Sequence, residues 1–144
     1  MITNDELHAF AELRGHNVGY ANLPKCKALV VELDKYYIGL DNKLRGSSEK
    51  AALAHELGHC ETGTLYYDGI PRHCKNKFER IACAWSYRKL VPPNEIQKAL
   101  NKGILEPWEL AEHFDVPITF MKNALDYYYG QGIYFKAPEW ACCI

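Results

Sequence analysis

Ser47-Ser48-Glu49-Lys50-Ala51-Ala52-Leu53-Ala54-His55-Glu56-Leu57-Gly58-His59 is the stretch that decides how this chain is read. It contains an H-E-x-x-H pentapeptide, and the residues ahead of it favour a helix. Ser47 reads as the N-cap, Glu49 puts a carboxylate in the first turn, and the alanines have the strongest helix propensity. Leu53, Leu57 and Cys60 line one apolar stripe. Four residues of α-helix advance ~6 Å and turn ~400°, so His55 and His59 stand one above the other on a single face. Two imidazoles so placed can grip one zinc ion at ~2.0–2.1 Å from each nitrogen. Glu56 lies one step round, where it reaches a water held by the ion without ligating the ion itself. Gly58 weakens the helix and asks for a reason; close approach of another backbone or of substrate is the expected one. The competing reading is two ordinary histidines that flank a glutamate on a helix face.

A catalytic zinc takes three protein ligands and keeps one position open. The histidines left over are His8, His16, His73 and His113. Glu79 is the preferred third ligand, within Asn76-Lys77-Phe78-Glu79-Arg80-Ile81-Ala82-Cys83-Ala84-Trp85. Phe78, Ile81, Ala82 and Trp85 follow the spacing of an amphipathic helix, and Glu79 borders that stripe, able to face another helix. Asn76 and Glu79 also fit a capping box, with Glu79 closing the helix start. His73, Cys74 and Cys83 compete as ligands. Spacing leaves these alternatives open.

Glu79-Arg80-Ile81-Ala82-Cys83-Ala84-Trp85-Ser86-Tyr87-Arg88-Lys89-Leu90-Val91-Pro92, following H-E-x-G-H, resembles the second signature of the ImmA/IrrE-type metallopeptidases. In that family a helix of the form E-x-x-A-x-x-W/F-A ends in a leucine and a proline. The likeness is closest to the small forms encoded by prophages and mobile elements beside a phage-type repressor gene. It spans roughly residues 5 to 130, and Ser86 stands where the family often has alanine. The resemblance implies His55, His59 and Glu79 as metal ligands and Glu56 as general base. It also implies a helix-turn-helix repressor as the protein substrate, cut to relieve repression.

Composition narrows the setting. The chain has 144 residues with 17 basic and 18 acidic side chains, a formal charge of -1. That length fits one domain with a real core. That charge provides no global field to draw the chain onto nucleic acid or an anionic membrane. The start, Met1-Ile2-Thr3-Asn4-Asp5-Glu6, does not read as a signal peptide, and no apolar run approaches the ~20 residues that span a bilayer. A cytoplasmic location is expected. The six cysteines, Cys26, Cys60, Cys74, Cys83, Cys142 and Cys143, form no C-x-x-C pair and are expected to stay reduced. Cys60, Cys74 and Cys83 surround the proposed site in sequence, and a thiolate there is a competent zinc ligand. Cys142-Cys143-Ile144 is not a prenylation box, because position 141 is alanine.

Elsewhere the pattern predicts a helix over 4–14, with Leu7, Phe10, Ala11 and Leu13 as its apolar set and Gly15 as its stop. Lys27–Leu33 and Tyr36–Leu40 read as strands joined in a hairpin at Asp34-Lys35. The 36–40 strand is a candidate edge on which a substrate peptide adds as a further strand; an ordinary sheet covering the helix pair is the alternative. Pro92-Pro93 breaks the chain, and a short helix over 94–100 stops before Gly103. Helices over 107–114 and 118–128 meet at Asp115-Val116-Pro117 in a helix-turn-helix-like arrangement. Glu106, Glu109, Glu112, Asp115 and Asp126 against Lys122 alone is the wrong charge for a phosphate-contacting surface, so packing or protein recognition is expected. The aromatic tail from Tyr127-Tyr128-Tyr129 to Trp140 suits a core or an interface.

These readings combine into an α+β protein. A zincin-like core over 1–91 holds a small sheet, the H-E-x-x-H helix and the Glu79 helix. A helical extension covers 92–144 of the same domain. The expected activity is that of a zinc endopeptidase. Zinc lowers the pKa of its water from ~15.7 towards ~7, while Glu56 takes the proton and hands it to the leaving amine. Tyr66, Tyr67 and His73 are candidates for a donor to the oxyanion. The alternative function is a binding protein that sequesters a repressor and uses its metal only for structure.

Overall fold

The structure is a computed structural model and describes residues 1–138. Trp140, Cys142 and Cys143 lie outside the described residues. The element order is α1 (Asn4–Leu13), β1 (Asn17–Ala21), β2 (Ala28–Glu32), β3 (Tyr36–Asp41), α2 (Gly46–Thr62), α3 (Arg72–Leu90), α4 (Pro93–Asn101), α5 (Pro107–Phe114) and α6 (Ile118–Gly130). The architecture is α+β, with six helices and a three-stranded mixed sheet among the described residues.

α1 begins in a reciprocal capping box. The Glu6 amide donates to Thr3 Oγ1 at 3.2 Å, and Glu6 Oε2 accepts from the Thr3 amide at 2.7 Å. Leu7 and Ala11, one turn apart, are its buried positions. Leu13, expected in the apolar set, is 88% exposed. It lies six residues past Leu7, about 240° round the helix, on the far side. Phe10 packs instead against Trp85 on α3, with ring centroids 5.9 Å apart.

β2 and β3 form the expected antiparallel hairpin, with Val30 opposite Ile38. The sequence pattern did not reveal β1, a short strand containing Gly19 that pairs parallel to β3, with Val18 opposite Ile38. The strand order is therefore β1-β3-β2. This overturns the expected edge role of residues 36–40: both edges of β3 are hydrogen-bonded to neighbours. The free edges belong to β1 and β2.

α2 begins at Gly46, not after Ser47. Arg45 is the N-cap and makes no side-chain capping bond; its guanidinium donates instead to the Asn42 and Leu44 carbonyls. Ser47 is thus inside the first turn. The helix ends at Gly63, whose φ of 65° is costly for any residue with a Cβ. Leu53, Leu57 and Cys60 are buried as the stripe requires.

α3 starts at Arg72 with Pro71 as its N-cap, a full turn earlier than the sequence suggests. Asn76 and Glu79 are therefore interior helix residues, and the capping-box reading of Glu79 falls. The buried positions are Ala82, Ser86 and Leu90, spaced by four. Ile81, placed in the stripe by spacing, is 36% exposed. The buried Ser86 hydroxyl is satisfied by donating to the Cys83 carbonyl at 2.7 Å.

Gly58 explains how tightly the two long helices meet. A Cβ built on Gly58 would lie 2.5 Å from the Ala82 carbonyl oxygen. Only a residue without a side chain lets α3 come this close to α2.

The three C-terminal helices pack onto the same core, which runs continuously from Leu7 through Leu53, Leu57 and Leu90 to Met121 and Tyr128. α5 and α6 meet at Asp115, the one non-glycine residue with positive φ (53°) among the described residues. Two buried polar ties secure them. Tyr128 OH donates to the Val91 carbonyl at 2.9 Å. Lys50 Nζ, fully buried on α2, donates to the Phe114 carbonyl at 2.7 Å, at the negative end of the α5 dipole. Burial holds the Lys50 ammonium below its usual pKa. Among the described residues no helix is long and apolar enough to cross a membrane.

Candidate metal centre

Helix periodicity stacks His55 and His59 on the face of α2 that meets α3, with ring centroids 4.8 Å apart and planes at 89°. α3 brings Glu79 over them. His55 Nε2 lies 3.0 Å from Glu79 Oε2, and His59 Nε2 lies 3.4 Å from Glu79 Oε1. One ligating atom from each of the three residues falls within 4.8 Å of the others. Ligands at ~2.0–2.1 Å from a tetrahedral ion stand roughly 3.3 Å apart, and the two histidine–Glu79 contacts, each to a different carboxylate oxygen, lie near that spacing. The trio can hold a metal ion.

The outer contacts orient the rings. His59 Nδ1 lies 3.0 Å from the Thr64 carbonyl and 3.1 Å from Thr64 Oγ1. A carbonyl can only accept, so Nδ1 carries a proton, and the neutral form of this ring is the tautomer that offers its Nε2 lone pair to a metal. His55 Nδ1 has Cys83 Sγ at 3.5 Å. Burial pulls the His55 imidazole below its ordinary pKa, against the opposing pull of Glu79.

Burial works against the Glu79 carboxylate, but the Tyr66 hydrogen bond and the two histidines outweigh it and hold the pKa below the usual value. The Tyr66 hydroxyl donates to Glu79 Oε1 at 2.5 Å. Its own pKa is pushed up to about 12, by burial first and then by that bond. Glu56 shares α2 with the histidines but stands outside the trio. It is half-buried, with no hydrogen-bond partner among the described residues. Burial, followed by the nearby Glu79 charge, raises its carboxyl to about 7.

Of the three candidates for an oxyanion donor, only Tyr66 reaches the trio. Tyr67 is 76% exposed and His73 sits exposed in the first turn of α3. The competing ligands are also separated. Cys83 touches the outer nitrogen of His55, on the side away from Glu79; Cys60 is in the core; His73 and Cys74 do not join the cluster. Thr64 escaped the sequence reading. Its only signal is position, a polar residue directly after the helix-ending Gly63, where the chain turns back over the last turn of α2. No protein-family model matches this chain, and no curated protein matches it either.

Proposed function

We propose that the chain is a zinc-dependent endopeptidase of the ImmA/IrrE type, with a zincin-like core, that cleaves a helix-turn-helix repressor of a phage or mobile element in the cytoplasm. One observation carries the reading: His55, His59 and Glu79 converge on one point, while Glu56, from the same helix, stays out of the ligand set. A purely structural site needs no such uncommitted carboxylate.

Two neutral nitrogens and one carboxylate suit zinc as a donor set. When bound, zinc supplies Lewis acidity at the scissile carbonyl and acidifies water. Glu56 accepts the proton of the attacking water and delivers it to the departing amine. Tyr66, whose single hydroxyl proton goes to Glu79 Oε1 in the structure, is placed to turn that proton to the developing oxyanion once it leaves Glu79. Thr64 keeps the His59 ring in its ligating tautomer. The substrate backbone adds to the free edge of β2. What supports this choice of edge is that Lys27, just ahead of β2, borders the same hollow as His55.

Glu56→Gln tests the reading, because it preserves shape and removes the proton acceptor. The variant should fold, retain zinc and still bind the repressor. Its cleavage rate should fall by at least ~10²–10⁴, the value of a general acid–base step. A Glu56→Gln protein that relieves repression as well as its parent would establish sequestration in place of proteolysis.

A further inference from the structure

A trough continues from the metal centre along the outer face of α3. Its first part is the hollow that Lys27 and His55 border. Its second part is a groove of about 820 Å³ between α3 and α6. Cys83, Tyr87 and Asn123 line both parts, so the groove and the metal centre are continuous.

The groove has a chemical direction. Along α3 its lining runs Lys77, Arg80, Ile81, Ala84, Tyr87, from a cationic end beside Glu79 to an apolar end completed by Tyr127 of α6. The groove sets these two cations against two carboxylates, Glu79, committed to the histidine cluster, and Asp126 on the opposite wall. Three other cations of α3 lie over aromatic rings: Lys75 over Tyr66, Arg88 over Tyr127 and Tyr128, and Lys89 over Phe10. Lys77 and Arg80 are exposed and make no ion pair among the described residues. Asp126 lines the α6 wall without pairing to either.

We propose that this groove binds the flank of the cleaved polypeptide and selects an acidic side chain about three residues from an apolar one. The proposal rests on the endopeptidase reading. Its spacing comes from helix and strand geometry. Arg80 to Tyr87 spans seven residues of helix, roughly 10 Å, which three residues of extended peptide cover. The acid meets Lys77 and Arg80 near the metal, and the apolar side chain rests on Ile81, Tyr87 and Tyr127. Opposite charges here supply register and discrimination.

The test is cleavage of a degenerate synthetic peptide mixture by the zinc-loaded full chain, with cut sites read by mass spectrometry. The parent should favour Asp or Glu on one flank roughly tenfold, the effect of two exposed ion pairs acting together. Added salt should weaken the preference. Lys77→Glu/Arg80→Glu should reverse it towards Lys and Arg, and Lys77→Gln/Arg80→Gln should abolish it, both with zinc content unchanged. A parent with no acidic preference, or variants with the parental profile, would overturn the groove assignment and leave the peptidase standing. A parent that cuts no peptide and no repressor sinks the reading beneath it, and the groove proposal with it.

Discussion

Helix α2 meets histidine–carboxylate partners both towards α3 and towards the α1–β1 segment. Towards α3, two histidines share one carboxylate: His55 and His59 meet Glu79 at 3.0 and 3.4 Å. Towards α1 and β1, each glutamate has its own histidine. Glu49 pairs with His8 at 3.4 Å and Glu61 with His16 at 2.7 Å. These two carboxylates are completed by groups that already neutralise or hydrate them. Tyr20 OH donates to Glu49 at 2.5 Å, and Arg14 Nε donates to both oxygens of Glu61 at 3.2 and 3.1 Å. At Glu61 the donors are satisfied and nothing remains for a cation to do. At Glu79 two ring nitrogens point inwards at carboxylate oxygens. The lesson is that residue type does not make a metal site; convergence of three ligating side chains on one point does.

The largest test of this contrast removes one carboxylate from each side. Glu79→Ala should lose most bound zinc while keeping its fold. Glu61→Ala should keep its zinc but lose stability by ~1–3 kcal/mol, because the largely buried His16 ring loses its acceptor, while the exposed Arg14 turns to water. Elemental analysis and denaturant unfolding on both variants decide it. Equal metal loss in the two would erase the distinction.

Gly58→Ala gives a smaller effect with an instructive sign. Helix propensity alone would favour alanine by ~1 kcal/mol. The Ala82 carbonyl 2.5 Å from the added carbon should reverse this into a loss of ~1–3 kcal/mol. It should also weaken zinc binding, since α3 must retreat and carries Glu79 with it. A stabilised variant with parental zinc affinity would show that helix approach does not set the ligand geometry.

The smallest effect belongs to the α1–β1 side. The Tyr20 hydroxyl is raised to about 12, first by its hydrogen bond to Glu49 and then by burial, from an ordinary value of 10.0. A phenol whose folded pKa is raised contributes stability below its unfolded pKa and loses it as pH climbs through the folded one. The parent should therefore exceed Tyr20→Phe in stability at neutral pH, and the difference should vanish between about pH 10 and 12. Tyr20 is 55% exposed, so solvent keeps the margin small. Paired denaturation curves across that range measure it; a margin unchanged at pH 12 would mean the hydroxyl is not coupled to Glu49.

Local pattern made much of this protein legible. Four-residue spacing placed both histidines on one face and Glu56 beside them, and Gly58 signalled a close approach before its partner was known. The β2–β3 hairpin was readable because its partners are adjacent in sequence and its turn is short. Helices α4 to α6 were bounded by prolines and glycines whose backbone limits are intrinsic to the residue. β1 was invisible because a five-residue strand with a central glycine has little pattern of its own; it exists through its parallel pairing with β3.

The sequence by itself thus determined the two-histidine face, the identity of the uncommitted glutamate and the helical character of residues around Glu79. Each depends on contacts within a few residues, where backbone geometry dictates the outcome. Tertiary structure decided whether Glu79 caps a helix or faces the histidines, since that depends on α3 starting at Arg72 and crossing α2 where Gly58 meets Ala82. It decided that β3 is central and β2 an edge, that Thr64 orients His59, and that Lys77 and Arg80 border a groove continuous with the metal centre. These facts join residues far apart in the chain, and only the packing of whole helices and strands brings them together.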